Sequence, residues 1–417
     1  MNLLVVSYVL PPNLYSQSIQ IGRLLYHLNA RIGALTGQVE TLSCGLDAYP
    51  DFDHKLAFRR SVSFHPQLTG FLHRVAANLL PFYARVPDEL TGWVPLAEDA
   101  LIDQLAQEQF IPDVLVTFGE PMSDHLLGLR VKKRYGLPWV AHFSDPWVDN
   151  PCRRRFFLSN LRNRTLERDV INNADRVIFT SEETVNLVMD KYPPEWRAKV
   201  RVLTHSFEPT FYAVSDRSLD KPFTLRYLGN FYGHRTPMPL FKALAEINHR
   251  FPEELKNVRV ELIGGVPPRM LSNAAYRSLP SGLVSVKSTV DYMTSLNLMA
   301  DSDILLVIDA PAEVSVFLPG KLVDYLGVGV PILGIVPPGA SAQLITKLGG
   351  CVANPCRVGE IAAALRQSLA EIRERRTAET SAAWGNPEVR AAYRAEAVAE
   401  RFRSILGELA GDGVQGG

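Results

Sequence analysis

The sequence lacks several features that mark large classes of protein. Its 417 residues carry 44 basic and 44 acidic side chains, so the formal net charge is zero and no overall field favours nucleic acid as a partner. Only four cysteines occur, and the spacing of the closest two, Cys351 and Cys356, fits no common zinc pattern. We therefore expect free thiols, no zinc site and no nucleic-acid partner.

Long apolar runs are also absent. None approaches the roughly twenty residues that a membrane-spanning helix needs. The first residues have no basic stretch and lead directly into Leu10-Pro11-Pro12, which is unlike a secretory signal peptide. We expect a cytoplasmic protein that is at most peripheral on the inner face of the plasma membrane.

A glycine-rich dinucleotide motif is missing as well. The loop from Val9 to Gln17, between a first strand and a first helix, is polar and turn-rich but contains no glycine. This pattern argues against an NAD site of the usual kind.

Two halves of alternating strand and helix patterns are present. Between them, residues 206–221 show no apolar period, as a linker does. The pattern predicts an α/β fold with two Rossmann-like domains facing across a cleft, at residues 1–210 and 221–386. Within it we predict a second strand at 38–43, a lapse of the alternation over 51–95, and one long charged helix at 387–410.

The stretch 319–333 has the clearest chemical pattern. It follows an apolar, strand-length run at 303–309, and Pro319 suits the first turn of a short helix that Gly327 and Gly329 end. A helix that begins just after a parallel strand offers free N–H groups to an anion at the sheet edge.

Lys321 and Asp324 are three residues apart and therefore lie on one face of that helix. An ammonium group neutralises phosphate, and a carboxylate accepts hydrogen bonds from a ribose diol. The pair suits a nucleoside diphosphate, although an ordinary helix start with a solvated lysine fits the same residues.

This stretch resembles the motif P-x-K-hydrophobic-x-(E/D)-Y-hydrophobic-x-x-G-x-P-I of bacterial family 4 glycosyltransferases, which have the GT-B fold. The matching residues are Pro319, Lys321, Asp324, Tyr325, Gly329, Pro331 and Ile332. In that family the lysine faces the diphosphate of the sugar donor and the acid holds the ribose. Many members also have a glutamate eight residues before that acid, on the donor sugar. Here Val316 occupies that position and Glu313 is the nearest acid.

The resemblance assigns a second turn, 227–235, to the donor diphosphate. Gly229, Asn230 and Arg235 follow a strand there. Glycine lets phosphate approach the backbone, and arginine can hold it through two hydrogen bonds. A plain turn with a surface arginine is the alternative explanation.

His142 and Asp145, in the first half, follow a strand and are similar to the (R/H)-D-P-W loop of the same family, which lies near the reacting sugar. We take them as the candidate catalytic pair. Ser144 stands where the basic residue usually precedes the aspartate, so His142 is a shifted match. A histidine and an aspartate that stabilise a tight turn would explain the pattern equally well.

Ser16, Gln17 and Ser18 are candidate contacts to the acceptor or the cleft. They end the loop that, in the resembled family, reaches into the cleft beside donor and acceptor.

The resemblance implies a retaining glycosyltransferase that moves a hexose-type sugar from a nucleotide-diphosphate donor to a glycan or polyprenyl-linked acceptor, in polysaccharide or cell-envelope glycan synthesis. The first domain would bind the acceptor, the second the donor, and the 387–410 helix would cross back to the first. No metal or other cofactor is expected, because Lys321, Arg235 and helix N-termini would stabilise the leaving diphosphate. The alternatives are a nucleotide-sugar 2-epimerase of the same fold and a non-catalytic nucleotide-sugar-binding protein.

The segment 54–93 interleaves aromatic residues with four arginines, Arg59, Arg60, Arg74 and Arg85. Aromatic side chains settle at membrane interfaces and arginines favour anionic headgroups. We therefore predict that this segment contacts an anionic membrane, although a core helix explains part of its periodicity.

Overall fold

The computed structural model describes residues 1–12, 15–37, 49, 51–64, 86–151, 157–212, 221–377 and 383–412. These residues form two compact α/β units. Unit 1 takes its described residues from Met1–Ser43, Asp47–Thr204 and Val398–Gly417, and unit 2 takes them from His205–Ala397.

Unit 1 is built on a seven-stranded sheet in which every neighbouring pair of strands is parallel. The strands are β1 (Asn2–Val6), β2 (Arg31–Gly37), β3 (Leu56–Val62), β4 (Val114–Gly119), β5 (Trp139–Phe143), β6 (Arg176–Phe179) and β7 (Val200–Val202). Their order across the sheet is β3-β2-β1-β4-β5-β6-β7, so the direction of winding reverses between β1 and β4.

Unit 2 repeats this plan with a six-stranded parallel sheet. Its strands are β8 (Phe223–Leu228), β9 (Val258–Ile263), β10 (Val284–Lys287), β11 (Ile304–Ile308), β12 (Ile332–Ile335) and β13 (Cys351–Ala353). The order is β10-β9-β8-β11-β12-β13, with the reversal between β8 and β11. In such sheets ligands bind at the carboxyl ends of the strands beside the reversal.

Helices follow most strands, as parallel connections require. In unit 1 they are α1 (Ser16–Tyr26), α2 (Trp93–Glu108), α3 (Ser123–Tyr135), α4 (Phe157–Asn173) and α5 (Glu182–Met189). In the second half of the chain they are α6 (Met238–Arg250), α7 (Pro268–Leu271), α8 (Ala274–Arg277), α9 (Tyr292–Ala300), α10 (Gly320–Val328), α11 (Ala340–Leu348), α12 (Val358–Thr377), α13 (Pro387–Ala392) and α14 (Ala395–Asp412). No helix among the described residues is long and apolar enough to cross a membrane.

The fold class is the predicted one, but two strands of unit 1 were missed. β2 precedes the predicted strand at 38–43, which lies outside the described residues, and β3 falls where we expected the alternation to lapse. Gly33 explains the first miss, because a Cβ there would overlap the ring of Phe58, and a glycine-containing segment does not have the sequence pattern of a strand.

The predicted single helix at the end of the chain is wrong. It divides into α13 and α14 at Tyr393, whose carbonyl accepts from the Phe207 N–H (2.9 Å), and the Ala395 N–H donates back to the Phe207 carbonyl (2.9 Å). The predicted start is correct, since Asn386 caps α13 with its side chain. In unit 1, Glu408 of α14 accepts from Arg176 (3.0 Å) and Arg201 (2.7 Å).

Candidate functional site

The reversal point of the unit 2 sheet brings Lys321 and the end of β8 together. Lys321 is the second residue of α10, and its Nζ donates to the Leu228 carbonyl (3.2 Å) and the Tyr227 hydroxyl (3.1 Å). The same Nζ lies 4.3 Å from the centre of the Tyr227 ring. These contacts hold the ammonium at the carboxyl edge of the sheet.

Gly229 and Asn230 form the turn after β8. A Cβ at Gly229 would lie 2.5 Å from the Lys321 Nζ, and its φ of +143° lies outside the range that other residues adopt easily. The Asn230 side chain accepts from the Gly265 N–H (2.7 Å), which ties this turn to the one after β9. Gly229 is therefore required by both the backbone conformation and the lysine beside it, while Asn230 stabilises the turn.

Arg235 is held against Asp309, which follows β11. One terminal nitrogen donates to the Asp309 carboxylate (2.9 Å) and the other to the Tyr232 hydroxyl (3.2 Å). Asp309 also accepts from Ser315 Oγ (3.0 Å). Among the described residues, no group accepts from the buried Nε of Arg235. Sequence reasoning missed Asp309, although its place directly after an apolar strand was a usable signal.

The site has more positive than negative charge at close range. Burial, with the nearby charge of Arg235, lowers the pKa of Lys321 to about 7, although Asp309 acts in the opposite direction. No carboxylate in the described part of the chain lies within ion-pair distance of Lys321. Lys321 without a paired carboxylate, beside Arg235 with a single one, favours an additional anion at this site.

The N-terminus of α10 likewise has no negative side chain in contact with it. The N-cap residue, Pro319, makes no side-chain hydrogen bond to the helix, and the first turn of α10 contains no acidic residue. Free N–H groups at a helix start favour negative charge, which here adds to the charges of Lys321 and Arg235.

Asp324 is on the same helix but has other partners. It is 5% exposed, and its Oδ1 accepts from the hydroxyls of Tyr212 and Tyr292, each at 3.1 Å. The two tyrosines are 112 and 32 residues away in sequence, so no local pattern could have indicated them.

At the position where many members of the resembled family have a sugar-contacting glutamate, Val316 is buried. The nearest acid, Glu313, is exposed.

His142 lies on β5 of unit 1 and is buried, with its ring 5.1 Å from that of Phe118. A second histidine, His125, is fully buried nearby; its Nδ1 shares a hydrogen bond with Thr117 Oγ1 (2.7 Å). Burial and the neighbouring His142 lower the pKa of His125 to about 3, so this second imidazole is neutral at pH 7. Sequence reasoning missed His125.

Asp145 is partly buried, in the loop that follows β5. The next turn of that loop is fixed by Glu167 of α4, which is fully buried and accepts from the Val148 N–H (2.8 Å) and the Tyr192 hydroxyl (2.7 Å). Arg153, Arg154 and Arg155 lie outside the described residues.

Asp124 occupies the position in unit 1 that corresponds to Lys321 in unit 2. It is the second residue of α3, and its Oδ2 accepts from the Tyr8 N–H (2.8 Å), two residues after β1. Asp88 accepts from the Ser123 N–H (3.0 Å) and Oγ (2.6 Å) at the same helix start. Carboxylates of the chain itself therefore occupy this helix start.

Ser16, Gln17 and Ser18 form the first turn of α1 and are not in a loop. Ser16 is exposed, whereas Ser18 is fully buried. Within the described residues, Ser18 Oγ and Gln17 Nε2 are buried without a hydrogen-bond partner.

Comparison with known proteins agrees with this fold. Residues 23–204 match the model of the Glycosyl transferase 4-like domain. No curated protein sequence matches the chain. Similar solved structures include sucrose-phosphate synthase from Thermosynechococcus elongatus, with 15% identity, a TM-score of 0.66 and coverage of 99% of this chain and 100% of that one.

Two further structures are similar over almost their whole length. Anabaena Alr3699/HepE, in complex with UDP and glucose, has 15% identity, a TM-score of 0.63 and coverage of 98% of this chain and 100% of that one. The lipopolysaccharide outer core galactosyltransferase WaaB, in its apo form, has 12% identity, a TM-score of 0.60 and coverage of 98% and 99%. The chain therefore has the α/β fold of the GT-B glycosyltransferases, and residues 23–204 are similar to the Glycosyl transferase 4-like domain.

Proposed function

We propose that this chain is a retaining glycosyltransferase that moves a hexose-type sugar from a nucleotide-diphosphate donor to a glycan or lipid-linked acceptor. The observation that carries the proposal is the cation pair at the reversal point of unit 2. Lys321 is held there without an ion-paired carboxylate, and Arg235 has a buried N–H without an acceptor among the described residues. A diphosphate would supply the missing negative charge.

The same groups account for stabilisation of the leaving group. When the sugar–phosphate bond breaks, negative charge develops on the diphosphate, and an ammonium, a guanidinium and helix N–H groups at that point lower the barrier. The side chains are already oriented, Lys321 by Leu228 and Tyr227 and Arg235 by Asp309. This arrangement supports a reaction that needs no metal ion.

His142 and Asp145 are the proposed catalytic residues of unit 1. Both lie at the carboxyl end of β5 or just after it, where Rossmann-like sheets present reactive groups. In this proposal they contact the reacting sugar or the acceptor and do not bind the nucleotide.

Similar structures support a nucleotide-sugar donor. Alr3699/HepE was solved with UDP-glucose, and the WaaB neighbour is a lipopolysaccharide galactosyltransferase. On the basis of these two structures, we propose a uridine nucleotide-sugar as the first donor to test. We propose a cell-envelope or polysaccharide glycan as the acceptor class.

The test begins with UDP-, GDP- and ADP-sugars in a thermal-shift panel, since a ligand raises the melting temperature by mass action. The stabilising donor is then incubated with a membrane lipid extract and assayed for sugar transfer. Stabilisation by none of the three contradicts the proposal. Stabilisation without transfer favours a non-catalytic binding protein, a role consistent with the buried Val316. Formation of an epimer from the donor alone identifies an epimerase.

The proposal includes an anionic membrane surface as a partner, which a lipid-linked acceptor requires. The segment predicted for this contact lies partly outside the described residues, and within it Trp93 is fully buried and Arg59 bonds to Asp53 and to the Pro11 carbonyl. Trp93 and Arg59 are therefore poor candidates for a membrane contact.

The start of α4 fits a membrane better. Phe157, Leu158 and Leu161 are 83%, 56% and 57% exposed, and at 100° per residue they share one helix face with Arg162 and Arg164 on its two flanks. Exposed apolar side chains between arginines are typical of a surface that contacts anionic lipid.

Cosedimentation with anionic vesicles tests this contact. Serine at Phe157, Leu158 and Leu161 together should lower vesicle binding at least tenfold, whereas Ile111→Ser, at a site 78% exposed elsewhere, should not change it. Binding that survives the triple substitution contradicts the assignment to α4. A change of oligomeric state in that variant instead identifies the face as a contact between copies.

A further inference from the structure

In this structure the carboxylate of Asp324 is covered and cannot be reached by a ribose. A carboxylate that holds a ribose must be reached by two hydroxyls of the ligand. In this structure Asp324 is 5% exposed, and its Oδ1 already accepts from two hydroxyls of the chain, those of Tyr212 and Tyr292. Two hydroxyl donors on one carboxylate oxygen have the same chemistry as a ribose diol.

The two tyrosines differ in how they are held. Tyr292 is the first residue of α9, whose N-cap Asp291 accepts from the Thr294 N–H (2.8 Å), and the Tyr292 carbonyl accepts from Ser295 Oγ (2.6 Å). Tyr212 follows a three-residue 3-10 turn, Pro209–Phe211, in extended conformation. Tyr212 is therefore the one that can leave with little loss of regular structure.

The Tyr212 ring lies against Gly327, the eighth residue of α10. A Cβ at that position would lie 2.5 Å from the Tyr212 hydroxyl oxygen and closer still to its ring carbons. Because Gly327 is helical and has no positive φ, its backbone does not require glycine. The missing side chain instead leaves room for the aromatic ring.

We propose that Tyr212 is a latch: in the nucleotide-free protein its hydroxyl and ring cover Asp324, and a nucleoside diphosphate binds by exchanging this hydroxyl for a ribose hydroxyl. Tyr292 stays and orients the carboxylate. Tyr212 then sets the affinity for the donor without contacting the diphosphate. This inference rests on the proposed function, since it concerns the ribose of the same donor.

The test is a titration of UDP, with GDP and ADP as further probes, into the full chain and its variants. Tyr212→Phe keeps the ring but removes a hydrogen bond to a carboxylate that binding must break, so we expect UDP to bind about tenfold more tightly. Gly327→Ala displaces the ring by a different route and should act in the same direction, while alanine is favourable in a helix.

Tyr292→Phe is the matched control, because it removes a hydroxyl from the same oxygen at the same 3.1 Å distance. The latch predicts that this variant does not tighten binding. If both variants tighten it equally, the gain comes from the freed carboxylate, and the assignment of the latch to Tyr212 is wrong.

A second probe separates the ribose from the rest of the nucleotide. With 2′,3′-dideoxy-UDP no hydroxyl is exchanged, so the wild type and Tyr212→Phe should bind equally. In an Asp324→Asn background, Tyr212→Phe should likewise give no gain. UDP binding that is unchanged by Tyr212→Phe overturns the latch alone, whereas absence of binding by UDP, GDP and ADP to the wild type overturns the proposed function with it.

Discussion

At the reversal point of the unit 1 sheet, helix α3 follows β4, and its second residue is Asp124. The Asp124 carboxyl accepts from the Tyr8 N–H near the end of β1. At the reversal point of unit 2 the second residue is Lys321, which donates to the Leu228 carbonyl at the end of β8. Both side chains connect a helix start to the neighbouring strand, but Asp124 does so as a carboxyl acceptor and Lys321 as an amine donor.

In the proposed function, this difference determines which of the two helix starts binds a phosphate. In unit 1, Asp88 accepts from the N–H of Ser123, the first residue of the helix, and the carboxyl group of Asp124 lies in the same turn. In unit 2 the helix start has no acidic residue in its first turn and faces two cations. The same sheet topology therefore presents different side chains at its two reversal points, and function depends on the residues placed on a fold.

We expect the largest effect from substitutions in unit 1, which should lower turnover without changing nucleotide binding in unit 2. We expect His142→Ala and Asp145→Ala each to lower the turnover number about a hundredfold to ten-thousandfold if they act on the reacting sugar as acid or base. The dissociation constant for UDP should stay within about twofold of the wild type, since neither residue belongs to the cation pair. Turnover rates near that of the wild type would show that His142 and Asp145 only support the fold.

Lys321→Met should have the next largest effect. Methionine keeps the length and the apolar part of the side chain but loses the charge, so the variant should fold and bind UDP about tenfold to a hundredfold more weakly. Asp124→Asn at the corresponding position of unit 1 is the control and should leave UDP affinity unchanged. Equal loss in the two variants would contradict the contrast between the helix starts.

The sequence predicted the position of the second helix start better than the residues that surround it. The apolar run before Pro319 and the spacing of Lys321 and Asp324 correctly placed both residues on one short helix after a strand. Their partners could not be predicted, because Leu228 and Tyr212 are 93 and 112 residues distant and meet the helix only through the tertiary fold.

Unit 1 was harder to predict for a local reason. The strand β5 has the predicted bounds. Its sequence is almost entirely apolar, and all of its residues are buried. In β2, by contrast, Gly33 and Gly37 leave room for the rings of Phe58 and Tyr8, so glycine in this strand is evidence of close packing and not of a loop. That packing depends on residues from β3 and from the end of β1, which a single-sequence pattern does not contain.

A smaller effect concerns pH. Because Lys321 has a pKa of about 7 in the empty protein, a diphosphate that binds the charged form must raise this pKa. Binding then takes up a proton above pH 7, and UDP affinity should fall about tenfold between pH 7 and pH 8 or a little above. Calorimetry in buffers of different ionisation enthalpy measures this proton uptake directly. The proton uptake should disappear in Lys321→Met, and its persistence there would assign it to another group.

The smallest effect should appear in the free energy of unfolding and concerns Asp124, at the helix start of unit 1. Burial raises the pKa of Asp124 well above its usual value, the Tyr8 N–H opposes this, and Asp88 adds to it. A carboxyl whose pKa is raised by folding stabilises the native state fully below its unfolded pKa, and this contribution is lost as the pH rises through the folded pKa.

Asp124→Asn cannot ionise yet keeps an oxygen that accepts from the Tyr8 N–H. Its free energy of unfolding should therefore gain on that of the wild type as the pH rises, and urea unfolding at pH 5, 7 and 8.5 measures the difference. Lys321→Met provides the comparison with unit 2. Lysine loses its charge as the pH rises through about 7, so the cost of burying the charged group falls, and the advantage of the methionine variant should shrink over the same range. Two stability differences that change with pH in the same direction would contradict the pKa shifts assigned to Asp124 and Lys321.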